Sequence, residues 1–280
     1  MSLSLASLNL HCGLDGRARP YAVTEAVAAL SADVVLVQEN WRPRGADSLA
    51  RRAALALGYE SLAELDVVAD ISLVDLNIVR GAVPAETGAW GLAVLSRLPM
   101  RCRPAIALGS APGDVAGARM AQVVEIAYSG QEVLRVANVH LTHRLVHGPS
   151  QLRRLIRALE PSDLPTVIGG DLNMCRPTVR LARGYRPAVR GRTWPAHRPV
   201  AQIDHLLAGP GVGIARQEVA APAGSDHLPI RATLVPAGQR HADQFPACGR
   251  PGGIDRRDQL AFLETDPSAA AETSLSRKVS

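Results

Sequence analysis

The apolar runs of this chain repeatedly end in a carboxylate, an amide or a histidine, and that pattern constrains the fold more than any other feature. Residues 34–37 run into Gln38-Glu39, residues 136–139 into His140, and residues 167–170 into Asp171-Leu172-Asn173. Ile203 leads directly to Asp204, and Ser225-Asp226-His227 stands just before the last apolar run. Short apolar runs suit buried strands. In α/β sheets, ligand sites lie at strand ends, on loops held by the rigid sheet. One shared site accounts for all of these clusters better than separate accidents.

The coarse element pattern agrees. Residues 3–10 alternate and read as a strand, and residues 21–30 have helical spacing with Val23, Val27 and Leu30 on one face. Residues 34–37 follow as a second strand, so strand, helix and strand succeed one another as in an α/β layer architecture. A helix is predicted over 46–57, closed by Gly58, and an amphipathic one over 150–159, stopped by Pro161. Further strands are predicted at 91–96, 121–127, 134–140, 166–168, 203–207 and 230–235. No solenoid repeat is present. At 280 residues the chain fits one large α/β domain or two small ones. Only 3% of residues are aromatic, so the core must rest on Leu, Val, Ile and Ala. After Val235 the composition turns to Ala, Gly, Pro, Ser and charge. We expect a domain over 1–236 and a disordered tail over 237–280, with a short helix near 258–263.

The tail carries six basic and six acidic residues, so the net charge of +5 belongs to the domain. A basic balance suits an anionic substrate such as a phosphodiester but is too small to establish nucleic-acid binding. Nearly every basic residue is Arg, whose planar fork matches phosphate; Lys-poor, Ala-, Arg- and Gly-rich coding in a bacterial genome explains the bias more simply. Cys12, Cys102, Cys175 and Cys248 form no CxxC pair, so neither a zinc ribbon nor a redox motif is suggested. The N-terminus does not read as a secretory signal, and no stretch approaches the ~20 apolar residues of a membrane span. A cytoplasmic, monomeric protein with free thiols is expected, and secreted phospholipid hydrolysis is disfavoured.

The residue types at the run ends fit phosphoester cleavage. Glu39 and Asp171 can supply the hard oxygen ligands that Mg²⁺ or Mn²⁺ prefers. Asn9 and Asn173 carry amides that can ligand a metal or hold a phosphate oxygen or the attacking water. A histidine beside a carboxylate suits general-base work. The Gly169-Gly170 pair permits close backbone approach before Asp171. Arg119 is a candidate for substrate phosphate, with an exposed loop arginine as the plain alternative. His140, His143 and His147 would need one helix to hold zinc, yet residues 136–141 read as a strand. His205 points away from Asp204's face and is read as structural. Trp194 and His197 are candidates for a substrate wall. Cys12 and Cys175 lie close in sequence to proposed site residues but are read as buried, inert thiols.

Taken in order, the pieces Ser7-Leu8-Asn9, Val37-Gln38-Glu39, Leu95-Ser96-Arg97, Asn138-Val139-His140, Gly170-Asp171-Leu172-Asn173, Ile203-Asp204-His205 and Ser225-Asp226-His227 resemble the endonuclease/exonuclease/phosphatase superfamily, which is DNase I-like. Each piece is weak alone; the ordered set over 1–235 is specific. The resemblance implies a four-layer α/β sandwich of two packed mixed sheets flanked by helices. It implies that Glu39 holds a divalent metal, with Asn9 and Asp226 assisting. His227 would deprotonate water, oriented by Asp204. Asp171 and Asn173 would position the nucleophile and phosphate, and His140 would bind phosphate or protonate the leaving group. His140 stands where the abasic-site repair branch has Tyr, which resembles the DNase I and sphingomyelinase-like branches instead. The expected activity is phosphodiesterase or endonuclease. The alternatives are a phosphomonoesterase acting on a small phosphorylated metabolite or inositol-type headgroup, and a non-catalytic phosphate- or nucleic-acid-binding protein on the same fold.

Overall fold

The computed structural model describes residues 2–79, 87–128, 132–160 and 163–236. The expectations for residues 237–280 lie outside the described residues. The elements, in chain order, are β1 (Leu3–Asn9), α1 (Val23–Ala29), β2 (Val34–Pro43), α2 (Leu49–Leu57), β3 (Ser61–Ser72), β4 (Thr87–Ser96), β5 (Met100–Ser110) and β6 (Ala118–Tyr128). There follow β7 (Glu132–His140), α3 (His147–Leu159), β8 (Thr166–Asp171), α4 (Arg176–Val179), β9 (Arg186–Pro187), β10 (Asp204–Ala208), β11 (Val212–Val219) and β12 (Ile230–Pro236).

Among the described residues, twelve strands form two mixed six-stranded sheets, ordered β11-β12-β1-β2-β4-β3 and β5-β6-β7-β8-β10-β9. Each sheet has a parallel strand pair at its centre, β1 with β2 and β7 with β8, joined through α1 and α3 respectively. Alternation along β2 sorts its side chains. Val34 and Leu36 enter the core between the sheets, and Val35 and Val37 the core under α1 and α2. A third core lies under α3, where Leu152, Leu155, Ile156 and Leu159 pack on Val139 and Ile168. Helices, sheet, sheet and helices thus make the four layers anticipated from the sequence.

The helix boundaries follow local chemistry. Ser48 caps α2 by accepting from the Arg51 N–H, and Gly58 closes it in the left-handed conformation. Sequence reading missed β3, β5, β9 and β11. β3, β5 and β11 carry many half-buried or exposed residues and border their sheets, so they lack the continuous apolar signature of central strands. β2 extends six residues beyond the predicted run, to Pro43.

One glycine brings the two sheets together behind one end, and the next brings β7 and β8 together within their sheet. Gly169 faces the opposing sheet, where an added Cβ would meet Leu36 Cδ1 at 2.5 Å. Gly170, at φ +134°, lets the Val139 carbonyl approach to within 2.0 Å of where a Cβ would stand. A buried polar bridge then joins the sheets. Gln38 Nε2 donates to Asn138 Oδ1 at 2.7 Å, and Asn138 Nδ2 reaches the carbonyls of Val37 and Ala93 at 3.0 Å. Register puts Asn9 beside Gln38, His140 beside Asp171, and Asp171 opposite Asp204. The C-terminal ends of β1, β2, β7 and β8 therefore meet the starts of β6, β10 and β12 at one end of the sandwich.

Candidate active site

The site is built where those ends converge. Strict alternation would send Glu39 to the helix side of β2, with Val35 and Val37. A β-bulge between Gln38 and Asn40 intervenes, and Glu39 takes φ +51°. The bulge re-aims its carboxylate into the site. Asn9 Nδ2 donates to Glu39 Oε1 at 3.0 Å and to Asp171 Oδ2 at 3.1 Å, tying one sheet to the other. Asn9 Oδ1 accepts the His11 N–H at 2.9 Å, which fixes the amide's orientation.

Asp171 is the shared centre. His140 Nε2 lies 3.5 Å and His227 Nε2 3.8 Å from its Oδ2, while the Asn173 N–H donates to its Oδ1 at 2.8 Å. Burial, together with the charges of Asp204 and Glu39, pushes the Asp171 carboxyl up against the opposing pull of His227 and the Asn173 N–H. Across the site, His227 Nδ1 sits 3.1 and 3.0 Å from the two Asp204 oxygens. Burial lowers the His227 pKa, but the carboxylates of Asp204, Asp171 and Asp226 outweigh it and raise it to about 10. The Ser225-Asp226-His227 loop is anchored by Ser225 Oγ, which donates to the Asn9 carbonyl at 2.7 Å.

The predicted residues differ in where their polar atoms go. Asn173, at φ +51°, spends one amide N–H on the Leu141 carbonyl at 2.9 Å, tying the loop after β8 to the loop after β7. Arg119 is not an exposed loop arginine. It is buried at the start of β6, with Nε and Nη2 on the Asp114 carboxylate at 2.9 and 2.8 Å and Nη1 on the His140 carbonyl at 3.3 Å. Its guanidinium carbon is 5.1 Å from the Trp90 ring centre, and that ring is 5.2 Å from the His140 ring. Burial, then the positive charges of Arg119 and His227, hold His140 well below its ordinary pKa, so it is neutral. His205 is fully buried, with Nε2 on the Met174 carbonyl at 2.8 Å, a structural role as read. Trp194 is part exposed and donates its indole N–H to Asp226 Oδ2 at 3.2 Å, so it steadies that carboxylate; His197 is exposed. Of the two thiols read as buried, Cys12 is free and buried, with its Sγ 3.9 Å from Glu39 Oε2, whereas Cys175 is free but exposed; Cys102, expected to be a free thiol, is instead disulfide-bonded.

His11, Asp114 and Trp90 escaped the sequence reading. His11 Nδ1 lies 3.5 Å from Asp226 Oδ1, which brings a third histidine to the carboxylates. Only its place two residues after Asn9 hinted at this. Glu39, Asp171, Asp204 and Asp226 thus crowd one largely buried site, and Asp226 Oδ1 has no hydrogen-bond partner. So much negative charge away from water is costly unless a cation shares it, and hard carboxylate oxygens are what a divalent cation takes. Asp171, Asp204 and His227 offer ligand atoms all within 4.8 Å of one another. The distances from Asp204 to His227 Nδ1, however, are those of a hydrogen bond, with a proton rather than a metal between them.

The sequence profile of the Endonuclease/Exonuclease/phosphatase family matches residues 6–227. The chain belongs to this family, whose members are phosphoesterases that use divalent metals. Among solved structures, an endonuclease/exonuclease/phosphatase protein from Beutenbergia cavernae superposes with TM-score 0.66 at 20% identity, covering 85% of this chain and 72% of that one. The mannosyl-6-phosphatase Bt3783 of Bacteroides thetaiotaomicron gives 0.62 at 15% identity, covering 83% and 99%. A humanized D. rerio TDP2 gives 0.59 at 18% identity, covering 84% and 99%. These likenesses concern the fold. No curated protein matches the chain in sequence.

Proposed function

We propose that this phosphoesterase hydrolyses phosphodiesters with Mg²⁺ or Mn²⁺. The observation that carries the reading is the His227–Asp204 pair, whose free Nε2 faces the same carboxylate cluster as Glu39. Asp204 holds the imidazole by Nδ1, and Nε2, once it has lost the proton that the raised pKa retains, takes one from water as that water attacks phosphorus in line. The P–O bond to the leaving group then breaks. The departing oxygen takes up a proton from solvent. His140, being neutral, is better suited to donate one hydrogen bond to a phosphoryl oxygen than to protonate the leaving group. Arg119 acts behind it as a positioning residue, because Asp114 and the His140 carbonyl occupy its donors.

Glu39, Asp171 and Asp226, with Asn9 beside them, would hold the cation, which would neutralise charge developing on the phosphoryl oxygens. Asn173 would position phosphate through its unspent amide oxygen and second N–H. A phosphomonoesterase on the same residues is the second reading, favoured by the site's burial at the strand ends.

The test compares hydrolysis of bis-p-nitrophenyl phosphate and p-nitrophenyl phosphate, with EDTA and with Mg²⁺ or Mn²⁺ restored. Diester preference that EDTA abolishes supports the proposal, and monoester preference selects the second reading. Calorimetric Mn²⁺ titration then separates the two cation sites. Loss of binding in Glu39→Gln but not in His227→Ala supports the Glu39 side, and the reverse result places the ion between Asp171 and His227.

A further inference from the structure

The loops at the catalytic end have an unusual surface. Eight large apolar side chains are exposed among the described residues, and five of them, Val115, Leu145, Val146, Trp194 and Val200, lie in loops at that end. Register places these loops. The loop before β6 opens beside the end of β7, the loop after β7 follows His140, and the loop before β10 ends at Asp204. Leu145 and Val146 are adjacent, 91% and 76% exposed, and follow Arg144, whose Nη2 donates to the Gly113 carbonyl at 2.6 Å and joins their loop to that of Val115. Val200 is 59% exposed in the loop that carries Trp194.

Scattered apolar residues are ordinary on a protein surface, but grouping at one functional rim marks an interaction site. The exposed charge of these three loops has one sign. Arg192 and Arg198 in the loop before β10, and Arg176 at the start of α4, are exposed and have no carboxylate partner among the described residues, whereas Asp114 is buried and committed to Arg119. Aliphatic tips and unpaired arginines at the same end of the sandwich suit a surface that is anionic outside and apolar just beneath. Nucleic acid meets only the first condition. Bases stack on flat aromatic faces, and four of these five side chains are aliphatic.

We propose that the catalytic end docks on an anionic lipid surface, with Leu145 and Val146 entering the headgroup–acyl boundary and the arginines meeting lipid phosphates. The phosphodiester presented to the site is then that of a lipid headgroup. This rests on the phosphodiesterase reading for its substrate, but not for the docking itself. Interfacial binding of this kind scales with buried apolar area plus attraction to anionic lipid.

The full chain should sediment with phosphatidylcholine vesicles containing phosphatidylserine, and much less with phosphatidylcholine alone. L145S/V146S should weaken that partition by roughly tenfold or more, with hydrolysis of soluble bis-p-nitrophenyl phosphate unchanged. Independently, Leu145→Trp should shift its emission to the blue on mixing with the anionic vesicles. No sedimentation, undiminished binding of L145S/V146S, or no emission shift would each overturn the proposal. So would binding of an oligonucleotide that L145S/V146S weakens while vesicles are ignored. Vesicle binding by a protein inactive on every phosphoester would uphold the docking and overturn the catalytic reading instead.

Discussion

His140 and His227 occupy opposite corners of one site and aim their Nε2 atoms at the same oxygen of Asp171, at 3.5 and 3.8 Å. Burial drives both toward neutrality, yet only His140 ends there. Its Nδ1 is buried without a hydrogen-bond partner, and Arg119 stands behind it across Trp90. His227 has Asp204 at its back, and the carboxylate charge overrides the loss of water. What stands behind each ring, more than its depth, divides a proton acceptor from a neutral donor. The same division recurs between the sheets. The β1–β2 end contributes Asn9 and Glu39, suited to a cation, the β7–β10 end contributes His140 and Asp204, suited to handling protons and phosphate, and Asp171 stands between the two.

The contrast breaks most visibly at His227. His227→Ala should lower kcat on bis-p-nitrophenyl phosphate by about 1,000-fold, the scale of a lost general base; a drop smaller than tenfold would return the base to another group. Asp114→Asn tests the support behind the neutral corner. It leaves Arg119 buried without its counter-charge and should cost about 3 kcal/mol in urea unfolding. Burial raises the Asp114 carboxyl, but Arg119 more than offsets this and holds it below its ordinary value. Stability from the pair is therefore full above the unfolded value of about 4 and declines as pH falls through the lowered one. In Asp114→Asn this acid-side decline should flatten.

Asp204→Asn should reduce kcat by about 100-fold and also move the acid limb of the pH–rate profile to lower pH. Without that carboxylate the His227 pKa falls, so less alkali is needed to free the base; an unmoved limb would separate Asp204 from the titration. The smallest effect is expected at His140. His140→Gln keeps a donor and should raise KM by about tenfold with kcat little changed, the loss of one hydrogen bond to phosphate. A large fall in kcat with KM constant would make His140 a proton donor and erase the distinction between the corners.

Much of this arrangement was legible before any coordinates. Apolar runs ending in Glu39, His140 and Asp171 announce buried strands that deliver polar groups to one edge, because a central strand in an α/β fold is apolar on both faces and can change character only where it leaves the core. Gly169-Gly170 was readable as a close approach, and the sheet contact at Leu36 shows what approaches. The bordering strands β3, β5 and β11 were not readable, since half-exposed strands lose the apolar continuity that marks central ones.

The sequence by itself determined the α/β layering and the family and singled out the candidate residues, since each depends on local pattern and order along the chain. Tertiary structure alone decided direction and charge. It turned Glu39 inward through a bulge, withdrew Arg119 into a pair with Asp114, brought His11 to Asp226 and set the two histidines in opposite protonation states. Those outcomes depend on groups far apart in the chain, and on Coulomb and desolvation energies that have no value until the distances between them are fixed.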